Sequence, residues 1–135
     1  ERPPLDSFSN GVGYYFAPFL MGFGAFNVPL KVYLIALFVM AVHAFTTISD
    51  YTADKKSGQK TFAIVFGKRT ASVFLMATSI IVLMFADPSV ITSIFMVSCA
   101  LFGLITIFLP SEKLALLFFR LIFVGFILTT LNFII

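Results

Sequence analysis

Two aspartates four residues apart carry the clearest chemical signal in this chain of 135 residues. Asp50 and Asp54 follow an apolar segment, and a helix continued by one more turn would place both carboxylates on one face. Two adjacent like charges repel each other unless a divalent cation lies between them. Oxygen-only ligands of this kind suit Mg²⁺, which also binds substrate phosphates. The spacing therefore predicts a Mg²⁺ site at Asp50 and Asp54.

Two further polar residues have the spacing that would place them on the same helix face as this pair. Counting back along the same helix places His43 and Thr47 on one stripe with Asp50 and Asp54. Polar and ionisable groups are costly in lipid, so such a stripe should face a cavity inside a helical bundle. We therefore expect His43 and Thr47 to contribute to substrate binding. The alternative for His43 alone is a hydrogen bond between helices.

The residues that follow the aspartate pair suit an anion. Lys55, Lys56 and Lys60 supply positive charge, and Thr61 supplies a hydroxyl donor. Gly58 would let the chain turn and expose backbone amides to a phosphate. A metal and these lysines together would neutralise a diphosphate. The alternative for the lysines is that they only mark the side of the membrane on which the loop lies.

Three other polar residues lie near or within apolar segments. Asp6 and Asn10 are also four residues apart and could line the mouth of the same cavity, although Asp6 could instead cap a helix. Arg120 lies within the last apolar segment, where its long side chain can reach the membrane interface. We assign Asp6 and Asn10 to the candidate site and Arg120 to structure.

Composition places these residues in a membrane protein. The chain is 60% hydrophobic and 11% charged, whereas soluble domains are about half apolar and a quarter charged. Its net charge of +3 comes mainly from a short stretch beside hydrophobic segments, a pattern that does not favour nucleic-acid binding. The single cysteine, Cys99, excludes an internal disulfide and a cysteine metal site.

The turn-forming residues divide the chain into apolar segments that are about as long as a membrane helix requires. Small residues in the first segment favour close helix packing, and Pro18 should kink it. We predict an all-α, polytopic transmembrane bundle with five spans in a single domain, residues 1–135. The predicted spans are residues 5–26, 30–49, 70–85, 89–109 and 114–135.

Basic residues predict the orientation of this bundle, because lysine and arginine in short loops stay on the cytoplasmic side. The loop between the second and third spans would therefore be cytoplasmic. Alternating spans then place Arg2 and Lys113 on that same side and Lys31 on the opposite one. The basic residues of the loop are Lys55, Lys56, Lys60, Lys68 and Arg69.

The polar loop resembles a family motif. Its pattern D-x-x-x-D-x-x-x-G-x-K-T, which begins at Asp50 and is followed by F-G-K-R, is similar to the second aspartate-rich motif of the UbiA-type intramembrane prenyltransferases. That family has nine helices and two such motifs, which hold Mg²⁺ and a prenyl diphosphate. The resemblance implies that Asp50 and Asp54 are catalytic metal ligands and that Lys60 contacts the diphosphate. The reaction would transfer a prenyl group from the diphosphate to a lipophilic acceptor.

The resemblance covers helices five to nine of the family, and the first motif, N-D-x-x-D-x-x-x-D, is absent. We therefore expect the chain to be inactive alone and to need an N-terminal half, in the same polypeptide or as a partner. The opening LDSFSNGVGY is similar to lycopene elongases, which favours a carotenoid acceptor. The alternative acceptors are a quinone precursor, a tetrapyrrole and an ether lipid. The rival hypothesis is a non-catalytic membrane subunit or a small transporter component.

Overall fold

The computed structural model of the chain describes residues 5–23 and 28–131, and every regular element within these ranges is a helix. The predicted all-α class is therefore confirmed. A π-helical turn, Val12–Phe16, connects the first two α-helices. The α-helices are α1 Leu5–Gly11, α2 Ala17–Phe23, α3 Leu30–Thr46, α4 Tyr51–Ser57, α5 Phe62–Phe66, α6 Lys68–Phe85, α7 Val90–Phe108 and α8 Glu112–Leu131.

The first apolar segment is irregular just before its proline. In the π-helical turn the amide of Ala17 donates to the carbonyl of Val12, five residues back. The next residue, Pro18, has no amide hydrogen to donate, so a widened turn here accommodates its ring. The π turn thus lies directly before Pro18, where a kink was expected. Residues 24–26 of the predicted span lie outside the described residues.

The second apolar segment ends earlier than predicted. Helix α3 stops at Thr46, and α4 leaves it at an angle of 72°. Hydroxyl groups in this stretch donate to helix carbonyls: Thr46 to His43, Thr47 to Ala44 and Ser49 to Thr46. Such local side-chain bonds compete with continuation of the helix. The expectation that one helix carries residues 43 to 54 is therefore wrong.

The core lies where α3, α6 and α7 meet. Helix α6 packs against both α3 and α7, while α8 packs against α7 and α3. Phe38, Phe45 and Leu75 are almost fully buried there. The close approach of α6 and α7 requires Gly103, because a Cβ at this position would lie 2.8 Å from the carbonyl oxygen of Ser72. Helix α1 and the π turn also pack on α3.

Two of the described helices, α6 and α7, are long and apolar enough to cross a membrane. The bent pair of α3 and α4 makes a third if it counts as one span. These helices fit the membrane protein that the composition indicates. Their ends lie within two residues of the third and fourth predicted spans. Residues 132–135 of the fifth predicted span lie outside the described part of the chain.

Candidate functional site

A polar pocket of about 440 Å³ lies at the end of the bundle where α3 gives way to α4. Helix α1 forms one wall, and α4 and the start of α5 form the other. Seven of the residues singled out in the sequence line it: Asp6, Asn10, His43, Thr47, Asp50, Asp54 and Thr61. Four lining residues were not predicted: Ser7, Thr46, Gln59 and Phe62. The polar pocket is the cavity lined by these eleven residues.

Asp50 and Asp54 stay one helical turn apart despite the bend. Asp50 is the N-cap residue of α4, and its carbonyl accepts the amide of Asp54 at 2.9 Å. Both aspartates line the polar pocket, and Asp6 of α1 lines it as well. Within the described residues, however, no three histidine, cysteine or acidic side chains are grouped closely enough to hold a metal ion. The carboxylates would therefore need further oxygen ligands, such as water or substrate phosphate.

Thr61 is the most unusual side chain of the pocket. It is 7% exposed, and its hydroxyl oxygen is buried without a hydrogen-bond partner. Leaving a buried polar group unsatisfied costs about 1–3 kcal/mol. Thr61 lines the polar pocket; its oxygen is not exposed there, so a rotation of the side chain toward a bound ligand would supply the missing bond. Thr61 is thus suited to contact a ligand, and sequence reasoning included it through the anion pattern and as the last residue of the aspartate-rich motif.

Thr47, unlike Thr61, forms hydrogen bonds within the fold through its hydroxyl. Its hydroxyl donates to the carbonyl of Ala44 at 2.7 Å and accepts the amide of Ala63 at 2.9 Å. These bonds tie the beginning of α5 to the end of α3. Thr47 therefore holds the chain that carries Thr61 beside the polar pocket, in addition to lining that pocket.

His43 lies where the polar pocket meets an apolar groove. Its Nδ1 atom is 3.2 Å from the hydroxyl of Ser7, which is 2% exposed. This contact is the hydrogen bond between helices that was the alternative for His43. The groove has a volume of about 610 Å³ and shares His43, Asn10 and Thr46 with the polar pocket. Its other lining residues are Tyr14, Tyr15, Phe38, Val39, Val42, Phe119, Ile122, Phe123 and Phe126.

The lysines expected to bind an anion do not line the polar pocket. Lys55, Lys56 and Lys60 are exposed on α4 and just after it. Gly58 does provide the expected turn, with φ of +72°. Its amide and that of Gln59 donate to carbonyls at the end of α4, in the pattern of a Schellman motif. The prediction that this turn exposes amides to a phosphate is therefore wrong.

An ion pair that the sequence did not suggest connects three helices behind the pocket. Nζ of Lys68 lies 2.9 Å from Oε1 of Glu112, and Thr52 donates to the same oxygen at 2.6 Å. Lys68 also lies over the ring of Tyr51, 4.2 Å from its centre. Hydrogen bonds from Thr52 and from Lys68 lower the pKa of Glu112. The pair joins the start of α6 to the start of α8, so these two helix ends lie at the same end of the bundle.

Comparison with known proteins adds no relative to this description. No family model, curated protein or solved structure gives a significant match to the chain.

Proposed function

We propose that the chain binds an isoprenoid diphosphate and Mg²⁺ at the polar pocket and takes part in prenyl transfer to a lipophilic acceptor within the membrane. The observation that carries this proposal is the union of two cavities. A pocket with three carboxylates adjoins an apolar groove, and both share Asn10, His43 and Thr46. A molecule with a charged head and a long apolar tail fits such a pair of cavities.

The pocket has the donor chemistry that Mg²⁺ requires. Asp50 and Asp54 offer carboxylate oxygens, and Asp6 and Asn10 face them from α1. Mg²⁺ is commonly held by one or two carboxylates together with waters and substrate phosphates, which agrees with the absence of a closed cluster in the described residues. We assign Asp50 and Asp54 as the metal ligands. When bound, the ion supplies positive charge against the departing diphosphate.

The proposed reaction breaks the bond between the first prenyl carbon and the diphosphate oxygen. The electron pair leaves with the diphosphate, and the allylic cation forms a bond to the acceptor, which then loses a proton. Thr61 would donate its unpartnered hydroxyl to the diphosphate. The aromatic residues of the groove would keep water away from the cation. Lys60 is exposed beside the pocket. In the chain without ligand we therefore expect Lys60 to attract the diphosphate by its charge rather than to line its binding site.

The finer membrane arrangement also belongs to this proposal. Five spans would be residues 5–23, α3, α6, α7 and α8, with the polar pocket on the cytoplasmic side as basic residues indicate. Lys68 and Glu112 meet at that end. Arg120 lies eight residues into α8, about 12 Å along its axis, and is exposed. The bundle would form half of a nine-helix UbiA-like fold, with the N-terminal half in cis or as a partner.

The experiment is a titration of farnesyl diphosphate against the detergent-solubilised chain, with Mg²⁺ and with EDTA. We expect binding that requires Mg²⁺ and that Asp54→Asn removes, because the amide keeps the shape of aspartate but not its charge. Asp87→Asn is the matched control, since Asp87 is an exposed acid in the turn between α6 and α7.

Competition with inorganic pyrophosphate distinguishes the contributions of the two cavities to binding. Farnesyl diphosphate should bind more tightly than pyrophosphate, because the groove buries the apolar tail. Equal affinities would mean that the groove takes no part. Absence of Mg²⁺-dependent binding by the wild-type chain, both alone and together with the proposed N-terminal half, would instead favour a non-catalytic membrane subunit.

A further inference from the structure

Helix α4 carries Asp54, the proposed metal ligand, but has little packing of its own. It is seven residues long, and none of its residues is buried. It also departs from α3 at 72°, so the long helix does not fix its direction. A short, exposed helix is marginal in isolation. Contacts with neighbouring helices must therefore determine where α4 lies.

The two faces of α4 have different partners. Successive residues of a helix are rotated by about 100°, so Thr52 lies about 200° around the axis from Asp50 and opposite the aspartate face. Asp50 and Asp54 line the polar pocket. Thr52 donates to Glu112 of α8, on the side away from that pocket. One face is thus available to a ligand, while the other is attached to the bundle.

That attachment converges on a single carboxylate oxygen. Oε1 of Glu112 accepts both Thr52, at 2.6 Å, and Lys68, at 2.9 Å. Lys68 also lies over the ring of Tyr51, the first residue of α4, which packs against the core. The side chains of Lys68 and Glu112 are 22% and 30% exposed, so both are partly shielded from water. Residues of α6 and α8 therefore hold both Tyr51 and Thr52.

We propose that Lys68 and Glu112 are positioning residues that hold α4, and with it Asp54, at the edge of the polar pocket. Neither residue lines that pocket. Their effect on the position of α4 follows from the contacts described above, whereas their effect on diphosphate binding rests on the function proposed above. A shift of Asp54 by about 1 Å is enough to weaken a geometry-dependent site.

The direct test measures the distance across the pocket between spin labels on Ser9→Cys and Lys56→Cys, with buried Cys99 replaced by alanine. Both label positions are exposed. We expect a narrow distance distribution that broadens with Glu112→Ala and with Lys68→Ala. Lys68→Arg should restore a narrow distribution, because arginine keeps the charge and can also stack on Tyr51. The control is Lys113→Ala, an exposed neighbour of Glu112.

The functional test measures the affinity of the same variants for farnesyl diphosphate in Mg²⁺. Glu112→Ala should weaken binding about fivefold, the upper range for a partly exposed ion pair, and Lys68→Arg should bind as the wild type does. Melting temperatures identify unfolding, and the milder Glu112→Gln keeps an acceptor for Thr52 if the alanine variant unfolds.

Three outcomes decide between the proposals. An unchanged distance distribution in Glu112→Ala overturns the positioning role. A broadened distribution with wild-type affinity shows that Glu112 holds α4 but overturns the effect on diphosphate binding, because Asp54 would then not need a fixed α4. If the wild-type chain binds no diphosphate either alone or with the proposed N-terminal half, the proposed function fails, and the distance distributions alone decide whether Lys68 and Glu112 hold α4.

Discussion

Thr61 and Thr47 provide a matched test of the polar pocket, because the same change to valine should affect stability in opposite directions. Valine keeps the shape of threonine and replaces the hydroxyl with a methyl group. At Thr61 the hydroxyl is buried and unpartnered, so Thr61→Val removes a desolvation penalty of about 1–3 kcal/mol. At Thr47 the hydroxyl accepts the amide of Ala63, so Thr47→Val leaves that amide unsatisfied and costs about 1–3 kcal/mol.

The two variants should also differ from the wild type in their affinity for farnesyl diphosphate. A hydrogen bond to a charged group is worth about 1.5–3 kcal/mol, so Thr61→Val should weaken farnesyl diphosphate binding by about 10-fold to 150-fold. A more stable chain that binds its ligand less well is the expected mark of a site residue. Thr47→Val should lose stability first, and its binding should weaken only through displacement of Thr61.

The assay is unfolding in detergent without ligand, followed by titration with farnesyl diphosphate and Mg²⁺. Equal destabilisation by Thr61→Val and Thr47→Val would show that the Thr61 hydroxyl is bonded within the fold, which would refute the reasoning. Unchanged affinity in Thr61→Val would show that this hydroxyl does not face the ligand.

Two further predictions concern the bundle itself. Gly103→Ala should destabilise the chain by about 1–3 kcal/mol, because its Cβ would lie 2.9 Å from the backbone nitrogen of Met76; Gly13→Ala, where a Cβ meets no atom within 4 Å, should be neutral or stabilising in the same melts. The hydrogen bond from Thr52 and the ion pair lower the pKa of Glu112, so its contribution to stability is present above the ordinary carboxyl pKa. That contribution is lost as the pH falls through the lowered pKa. The stability difference from Glu112→Gln should disappear in acid, and a constant difference would contradict this assignment.

The helices could be predicted because hydropathy and turn residues act locally. Asp87 and Pro88 separate α6 from α7, and Ser89 caps α7 by accepting the amide of Thr92. The bend after Thr46 was not predicted, because the i, i+4 spacing of Asp50 and Asp54 favoured a helix that continues for another turn. Threonine and serine hydroxyls bond to helix carbonyls near the bend. Ser72, Thr78 and Thr106 make the same kind of bond inside the unbroken helices α6 and α7, so these residues do not by themselves predict a helix end.

The polar pocket could be predicted in part for the same reason. Spacing of i, i+4 kept Asp50 beside Asp54 even though the helix around them changed. The ion pair of Lys68 and Glu112 joins residues 44 positions apart, and no local pattern indicates such a contact. Lys68 was interpreted as a marker of topology and as part of the F-G-K-R string that follows the aspartate-rich motif. Side-chain partners between distant helices depend on packing, which periodicity does not specify.

The early end of α3 affects the depth of the site. A helix of 17 residues is about 25 Å long, whereas the hydrocarbon layer of a bilayer is about 30 Å thick. If α3 crosses a membrane with Lys31 at one surface, its last turn ends about 5 Å short of the other surface. The bilayer would have to thin there, and the polar pocket would lie below the level of the surrounding headgroups. An amphiphile could then enter sideways from its own leaflet, its charged head sinking by only a few ångströms.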